Sequence, residues 1–325
     1  MQQPLVSVII PIYNSLPFIA PAVAALQEQT YPNMEIIIVD DGSVDGSFEI
    51  AKRFESDTLI VVRQVNSGAA IARNNGLKHA SGEYVQFLDV DDYLSKDKIE
   101  KQVKALEGHA DKVAVCDYIE FFEESELQAP KIIDHSAFIH SSDSPADFLI
   151  NLYGGNGSAN FIQTNSWLTP RHLIDKAGGW REFRCPDDDG EFFARVILAS
   201  KGIVHVPGIF NYYRRSVSES RLSNNSNRKY LQNSLLAIDL KYQYLLQHKN
   251  SIALQKAMAT QYLRFAVAVF PKHKQLSELA YKKYKLLYTP AIVPKLGGKI
   301  VEAIKYTLGW KAARFIRYYL REKNI

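Results

Sequence analysis

Four short apolar runs, at residues 5–11, 35–39, 58–62 and 84–88, are separated by three segments with helical spacing, and this alternation limits the fold more than any other feature. The runs are nearly continuous rather than alternating in polarity, as strands buried on both faces are. Between them, residues 18–29 put Ile19, Val23 and Leu26 on one helical face. Residues 47–54 and 68–79 read as helices too. Strand–helix–strand repetition of this kind predicts βαβ units and a mainly parallel sheet flanked by helices, an α/β fold. Residues 113–122 add a further expected strand, placed at an edge. A polar, irregular stretch at 123–144 reads as a loop or flap, and 151–158 as a glycine-rich turn. Residues 190–200 have helical spacing through Phe192, Phe193, Val196 and Ile197. From Asn227 onward the pattern is helical, with breaks expected near Pro271, Pro290 and Pro294.

A charged fraction of 23% and a hydrophobic fraction of 46% fit an ordinary soluble protein. No apolar stretch approaches the roughly 18 residues of a membrane span. The N-terminus enters a strand-like segment with no basic region or cleavage site, so no secretory signal is expected. Cys116 and Cys185 are far apart and form no metal-type spacing; reduced, partly buried thiols are expected. These features point to the cytoplasm. The net charge of +4 is uneven. Residues 295–323 hold eight Lys or Arg and two acids, a local +6, leaving −2 elsewhere. A nucleic-acid binder carries its basic face on the folded body, so nucleic acid is not expected as a partner.

The fourth apolar run ends in Asp89-Val90-Asp91-Asp92. A buried strand ending there delivers its acids to the carboxyl edge of a parallel sheet, where open α/β folds bind ligands. Crowded acids repel one another unless a cation or basic ligand lies between them. Oxygen ligands suit a hard cation, Mg2+ or Mn2+, which takes the rest of its shell from water and substrate phosphates. Phosphate chemistry follows as an expectation.

Four blocks carry a resemblance: Val6-Ser7-Val8-Ile9-Ile10-Pro11-Ile12-Tyr13-Asn14, Val39-Asp40-Asp41-Gly42-Ser43-Val44-Asp45, Asn66-Ser67-Gly68-Ala69-Ala70-Ile71-Ala72-Arg73-Asn74-Asn75-Gly76, and residues 81–92. Together they resemble the inverting, nucleotide-sugar-dependent glycosyltransferases of family 2, of the non-processive bacterial type, with the GT-A Rossmann-like fold. The resemblance spans about residues 5–215 and implies a donor pocket holding Pro11, Tyr13, Asn14, Asp41 and Gly68. Asp41 would accept a hydrogen bond from the ring N–H of the base; a strand-to-helix turn is the structural alternative. Asp89 and Asp91 match the family's D-x-D pair, Asp91 holding the divalent ion and Asp89 contacting the nucleotide, while Asp92 would cap the next turn. Arg73 would contact phosphate or brace an acid.

A later block, Cys185-Pro186-Asp187-Asp188-Asp189-Gly190-Glu191, is similar to the family's acidic motif. Its general base maps onto Asp189, with Asp188 as the alternative register. Trp167 and Trp180 fall in the acceptor-side segment and would stack on a sugar or line the cleft. Arg214 and Arg215, in an expected aromatic-basic loop, would clamp the leaving diphosphate. His205 is expected to pack rather than react. The Q-x-x-R-W motif of processive synthases is absent.

Residues 299–323 are amphipathic, and two readings stand: a helix docked on the body, or contact with the inner face of an anionic membrane. The expected organisation is a catalytic domain over residues 1–220 and a helical extension over 221–325. The expected activity is transfer of a sugar, from UDP in the first instance, to a hydroxyl of a saccharide or lipid-linked acceptor in cell-surface polysaccharide synthesis. The alternatives are a sugar-nucleotide nucleotidyltransferase, which would carry a glycine-rich basic loop after the first strand, and a degenerate carbohydrate-binding protein.

Overall fold

The computed structural model describes residues 3–215, 227–287 and 292–322. The break expected at Pro290 and the end of the tail at Lys323 lie outside the described residues. The chain forms two compact units. The first comprises Met1–Pro145, Ile162–Arg184 and Asp188–Glu219; the second comprises Ala146–Phe161, Cys185–Asp187 and Ser220–Ile325.

The first unit opens with β1 (Val6–Ile12), α1 (Leu16–Gln27), β2 (Met34–Asp40), α2 (Ser47–Lys52), β3 (Leu59–Arg63), α3 (Ala69–His79) and β4 (Tyr84–Phe87). These elements follow the alternation of the sequence. β5 (Tyr93–Leu94), α4 (Lys98–Leu106) and β6 (Val113–Phe121) come next, then α5 (Pro145–Leu152), most of which belongs to the second unit. β7 (Trp167–Pro170), α6 (Arg171–Ala177), α7 (Asp188–Ala199) and β8 (Ile203–Arg214) complete it.

The eight strands form one sheet in the order β3-β2-β1-β4-β7-β6-β8-β5. β3, β2, β1 and β4 run parallel, and Ile9 lies opposite both Ile37 and Phe87. The chain leaves β1 for β2 and β3 on one side and returns to β4 on the other. β1 and β4 therefore flank a topological switch point, where such sheets bind ligands beyond the strand ends. α1 buries Ile19, Ala22, Val23 and Leu26, the stripe expected from its spacing. α3 sits close on β1: a Cβ on Gly76 would lie 2.4 Å from Ile9 Cγ2, so only glycine allows this approach.

Two expectations are corrected. β6 is not an edge strand; it lies between β7 and β8, and the edges are β3 and β5. Its neighbours come from residues 167–170 and 203–214, far along the chain, so local pattern could not reveal them. Tyr212, Tyr213 and Arg214 are not in a loop either. β8 continues through Pro207 and Gly208, pairing Tyr213 with Glu120 and Arg214 with Phe121.

In the second unit α5 is joined by α8 (Arg228–His248), α9 (Ile252–Val269) and α10 (Lys274–Lys285). Asn227 and Ser251 cap α8 and α9 through their side-chain oxygens. α9 is its core, burying Leu254, Met258, Tyr262, Leu263 and Ala266. α11 (Lys299–Glu322) is interrupted at Gly309, whose φ of 84° breaks the helix. Beyond the break Trp310 and Ala313 are buried, and the Arg314 guanidinium donates to the Ala268 and Phe270 carbonyls (2.9 and 3.1 Å). Among the described residues no helix is long and apolar enough to cross a membrane.

Positive charge is not confined to the tail. The second unit holds 20 Lys or Arg against 6 Asp or Glu, a net +14; the first holds 19 against 29, a net −10.

Candidate active site

Because β2, β1 and β4 are adjacent and parallel, the residues that follow them share one edge: Asp41, Tyr13 with Asn14, and the 88–92 turn. At the first of these, Asp41 is buried and holds the next loop in place. Its Oδ1 accepts from Gln64 Nε2 (2.8 Å) and the Ser67 N–H (2.7 Å), and its Oδ2 from the Gly68 N–H (2.7 Å). An ionised carboxylate offers about four acceptor positions, so one is left on Oδ2. Gly68 has φ 101°, a conformation that favours glycine. Asn14, at φ 47°, clips this turn to the loop after β2: its N–H donates to Ser43 Oγ and its Oδ1 accepts from the Val44 N–H. Tyr13 is half exposed beside Pro11.

The acids after β4 have distinct roles. The Asp92 N–H donates to the Asp89 carbonyl, closing a turn. The Asp92 carboxylate does not cap that turn. It is buried, and accepts from Asn165 Nδ2 (2.6 Å) and the Arg214 N–H (2.7 Å). Burial, then the charges of Asp91 and Asp89, push its carboxyl well above the usual range, against the pull of Arg214. The same Asn165 amide accepts from the Asp89 N–H (3.0 Å). Asn165 thus fixes both ends of the turn, and no local signal in the sequence marked it.

Arg73 is the link to the late acidic motif. Its Nη2 donates to Asp89 Oδ1 (2.7 Å) and its Nη1 lies 3.9 Å from Asp188 Oδ2. Burial opposes its charge, but Asp89, Asp188 and Asp189 more than offset that and raise its pKa. In this structure it braces acids. Asp188 and Asp189 open α7, and Asp189 Oδ2 accepts from Thr164 Oγ1 (3.2 Å). Asp187 is drawn away within the second unit, where it pairs with the buried Lys241. Behind the helix start, buried Glu191 takes Arg181 and Arg195, each at 2.9 Å, which secures the first turn.

Neither tryptophan offers a stacking face. Trp180 is 3% exposed, with Phe192 parallel to its ring at 4.1 Å and the Arg73 guanidinium 4.5 Å from its centre. Trp167 is 2% exposed and stacks on Phe193. Both are core residues. Arg214 is likewise committed to the protein: Nε donates to the Asp91 carbonyl (2.9 Å), Nη2 to Glu124 (2.9 Å), and the guanidinium lies 4.6 Å from the Phe121 ring centre. It supports the 89–92 turn from behind. Arg215 lies 3.7 Å from Glu120. His205 Nε2 lies 3.0 Å from Asp117 Oδ2.

Among the described residues no group of three or more His, Cys, Asp or Glu is gathered to hold a metal ion. Asp91 and Asp89 offer carboxylate oxygens at a strand end, a donor set that suits a cation taking most of its shell from water and phosphate.

Residues 7–172 match the glycosyl transferase family 2 profile. Over 224 residues, 67% of this chain and 32% of the relative, the sequence is 31% identical to glycosyltransferase GlyA of Streptococcus pneumoniae. Over 105 residues, 31% of this chain and 42% of the relative, it is 47% identical to TuaG of Bacillus subtilis, a protein named for teichuronic acid biosynthesis. The chain spans well under half the length of either. In fold it is similar to S. aureus TarS 1-349 in complex with UDP-GlcNAc, with a TM-score of 0.67 at 17% identity, covering 98% of this chain and 92% of that one. Mannosyltransferase PcManGT from Pyrobaculum calidifontis, in complex with GDP-Man and Mn2+, gives 0.55 at 19% identity, over 98% of this chain and 87% of that one. The chain belongs to glycosyl transferase family 2.

Proposed function

We propose that the protein transfers a sugar, with inversion, from a nucleotide diphosphate donor to an acceptor hydroxyl. The observation that carries this reading is Arg73, which joins the acids after β4 to those that open α7 across 99 residues of chain, from Asp89 to Asp188. The proposed donor-binding edge and the candidate base would thereby lie close together. Asp189, at the start of α7, would take the acceptor proton. The acceptor oxygen then bonds to the anomeric carbon from the face opposite the diphosphate, and the carbon–oxygen bond to the diphosphate breaks, its electron pair leaving with the nucleotide. Membership of family 2, whose resemblance here is to inverting enzymes, and the single proposed base support inversion. Asp91, with Asp89, would hold a divalent cation, Mg2+ or Mn2+, which when bound neutralises charge on the departing diphosphate.

The free acceptor position on Asp41 Oδ2 suits a base with a ring N–H, and uracil supplies one. TuaG, named for teichuronic acid biosynthesis, and TarS, solved with UDP-GlcNAc, support a UDP-sugar and a cell-surface glycan, saccharide or lipid-linked, as acceptor. Cys116 and Cys185, both buried and neither in a disulfide, are consistent with work in the cytoplasm.

The test is thermal stabilisation by nucleotides with and without Mn2+, since a ligand bound only by the folded state raises the midpoint. UDP with metal should stabilise more than ADP with metal. Asp91→Ala should remove the metal-dependent part of the shift and abolish transfer. Equal shifts from every nucleotide would remove the role given to Asp41, full transfer by the wild type in chelator would remove the metal, and no transfer from any nucleotide sugar would remove the reading itself.

A further inference from the structure

The first half of α11, residues 299–308, has its polarity reversed for a helix facing water. Of its three charged residues, Glu302 and Lys305 pair with each other and are largely shielded, their side chains 19% and 10% exposed. Glu302 also accepts from the Leu296 and Gly297 N–H groups. The outward face is apolar instead: Ile300 is 79% exposed, Tyr306 81% and Leu308 70%, with Ala303 and Thr307 exposed between them. Lys299 borders this face. A helix turned this way is stable in place only if an apolar medium covers it. The half beyond Gly309 is fixed, with Trp310 and Ala313 buried and Arg314 tied to the Ala268 and Phe270 carbonyls, while Glu302 holds the first half to the turn at Leu296 and Gly297.

We propose that this face lies in the headgroup–acyl boundary of an anionic lipid bilayer. The charge of its unit selects that occupant. A net of +14 repels the same unit of a second copy and attracts an anionic surface. A soluble polyanion would meet the charge but has no use for exposed Ile300 and Leu308. Tyr306 and Lys299 suit the boundary, where an apolar body and a polar tip are both satisfied. The inference does not depend on the chemistry of the first unit.

The experiment is co-sedimentation of the full chain with phosphatidylcholine vesicles, with and without phosphatidylglycerol. Binding should require the anionic lipid and weaken as salt rises. Ile300→Ser with Leu308→Ser should lower the partition coefficient by about tenfold per residue, on the scale of burying an aliphatic side chain. Lys295→Ala with Lys299→Ala should lower it about fivefold per residue. Since Ile300 and Leu308 are exposed, circular dichroism of the serine pair should match the wild type. Independently of that pair, Tyr306→Trp should add a fluorescence component that shifts to the blue with phosphatidylglycerol vesicles. Equal binding to both vesicle types would overturn the proposal. So would undiminished binding by the serine pair with no Tyr306→Trp shift, which would mark a polyanion site. Self-association in the absence of lipid that the serine pair abolishes would give the face to a second copy and overturn it too.

Discussion

At the scale of single residues, the cleft depends on groups that hold others in place. Asp189 is the candidate base, and its loss should separate chemistry from binding. Asp189→Asn should leave UDP affinity within about twofold while lowering kcat by about 10² or more, the scale of general-base assistance. If Asp188→Asn is the inactive variant and Asp189→Asn is not, the base is one residue earlier. Asn165 is tested by a different contrast. Asn165→Ala removes the acceptor for the Asp89 N–H and the donor to buried Asp92. Leaving such groups unpaired costs about 1–3 kcal/mol each. The variant should melt lower and bind UDP with Mn2+ more weakly, and an unchanged metal-dependent shift would show that the turn keeps its shape without Asn165. The acids after β4 were legible as residues, because an acid run closing an apolar strand is a local signal. Their division of labour was not, since Asp92, Arg214 and Asn165 meet only in space.

At the scale of elements, α4 carries an unusual device. Lys98 is fully buried, donating to Gln86 Oε1 (2.6 Å) and Gln102 Oε1 (2.7 Å), and these two amides donate onward to the Asn165 and Ser166 carbonyls. Burial lowers its pKa from 10.5 to about 8. A base depressed in the folded state binds fewer protons there than in the unfolded chain between those two values. Its contribution to stability must therefore rise with pH across that window, by up to about 3 kcal/mol. The gap in urea midpoint between wild type and Lys98→Met should widen in favour of wild type from pH 7.5 to 10. A gap that does not change with pH would mean that Lys98 keeps its proton across this range and that burial does not lower its pKa. The β1–β4 elements and α1–α3 were readable because each buries a continuous run or a 3.6-residue stripe. β7 was not, being four residues long and buried only through its pairing with β4 and β6.

At the scale of the whole molecule, the two units differ in charge and in what ties their ends. The second unit closes on Trp310, which meets Phe270 and Tyr281 at ring distances of 5.6 Å each. Trp310→Ala should destabilise that unit by about 3–5 kcal/mol, the usual range for emptying a large aromatic site, and calorimetry should show a lowered transition. An unaltered transition would make the second half of α11 an appendage. Around Gly309 the helix changes character: Trp310 and Ala313 are buried just beyond it, and Ile300, Tyr306 and Leu308 are exposed before it.

The sequence alone determined the strand–helix alternation, the family and the acids at the strand ends, because each is written in neighbouring residues. Burial, spacing at 2 or 3.6 residues, and an acid run after an apolar one are local properties. Tertiary structure decided that β6 is interior, that Trp167 and Trp180 are walled in, that Arg73 braces and Arg214 supports, and that the outer face of α11 is apolar. Each of these depends on which distant segment arrives opposite a residue, and pairings across a hundred residues leave no mark on either partner's own neighbourhood.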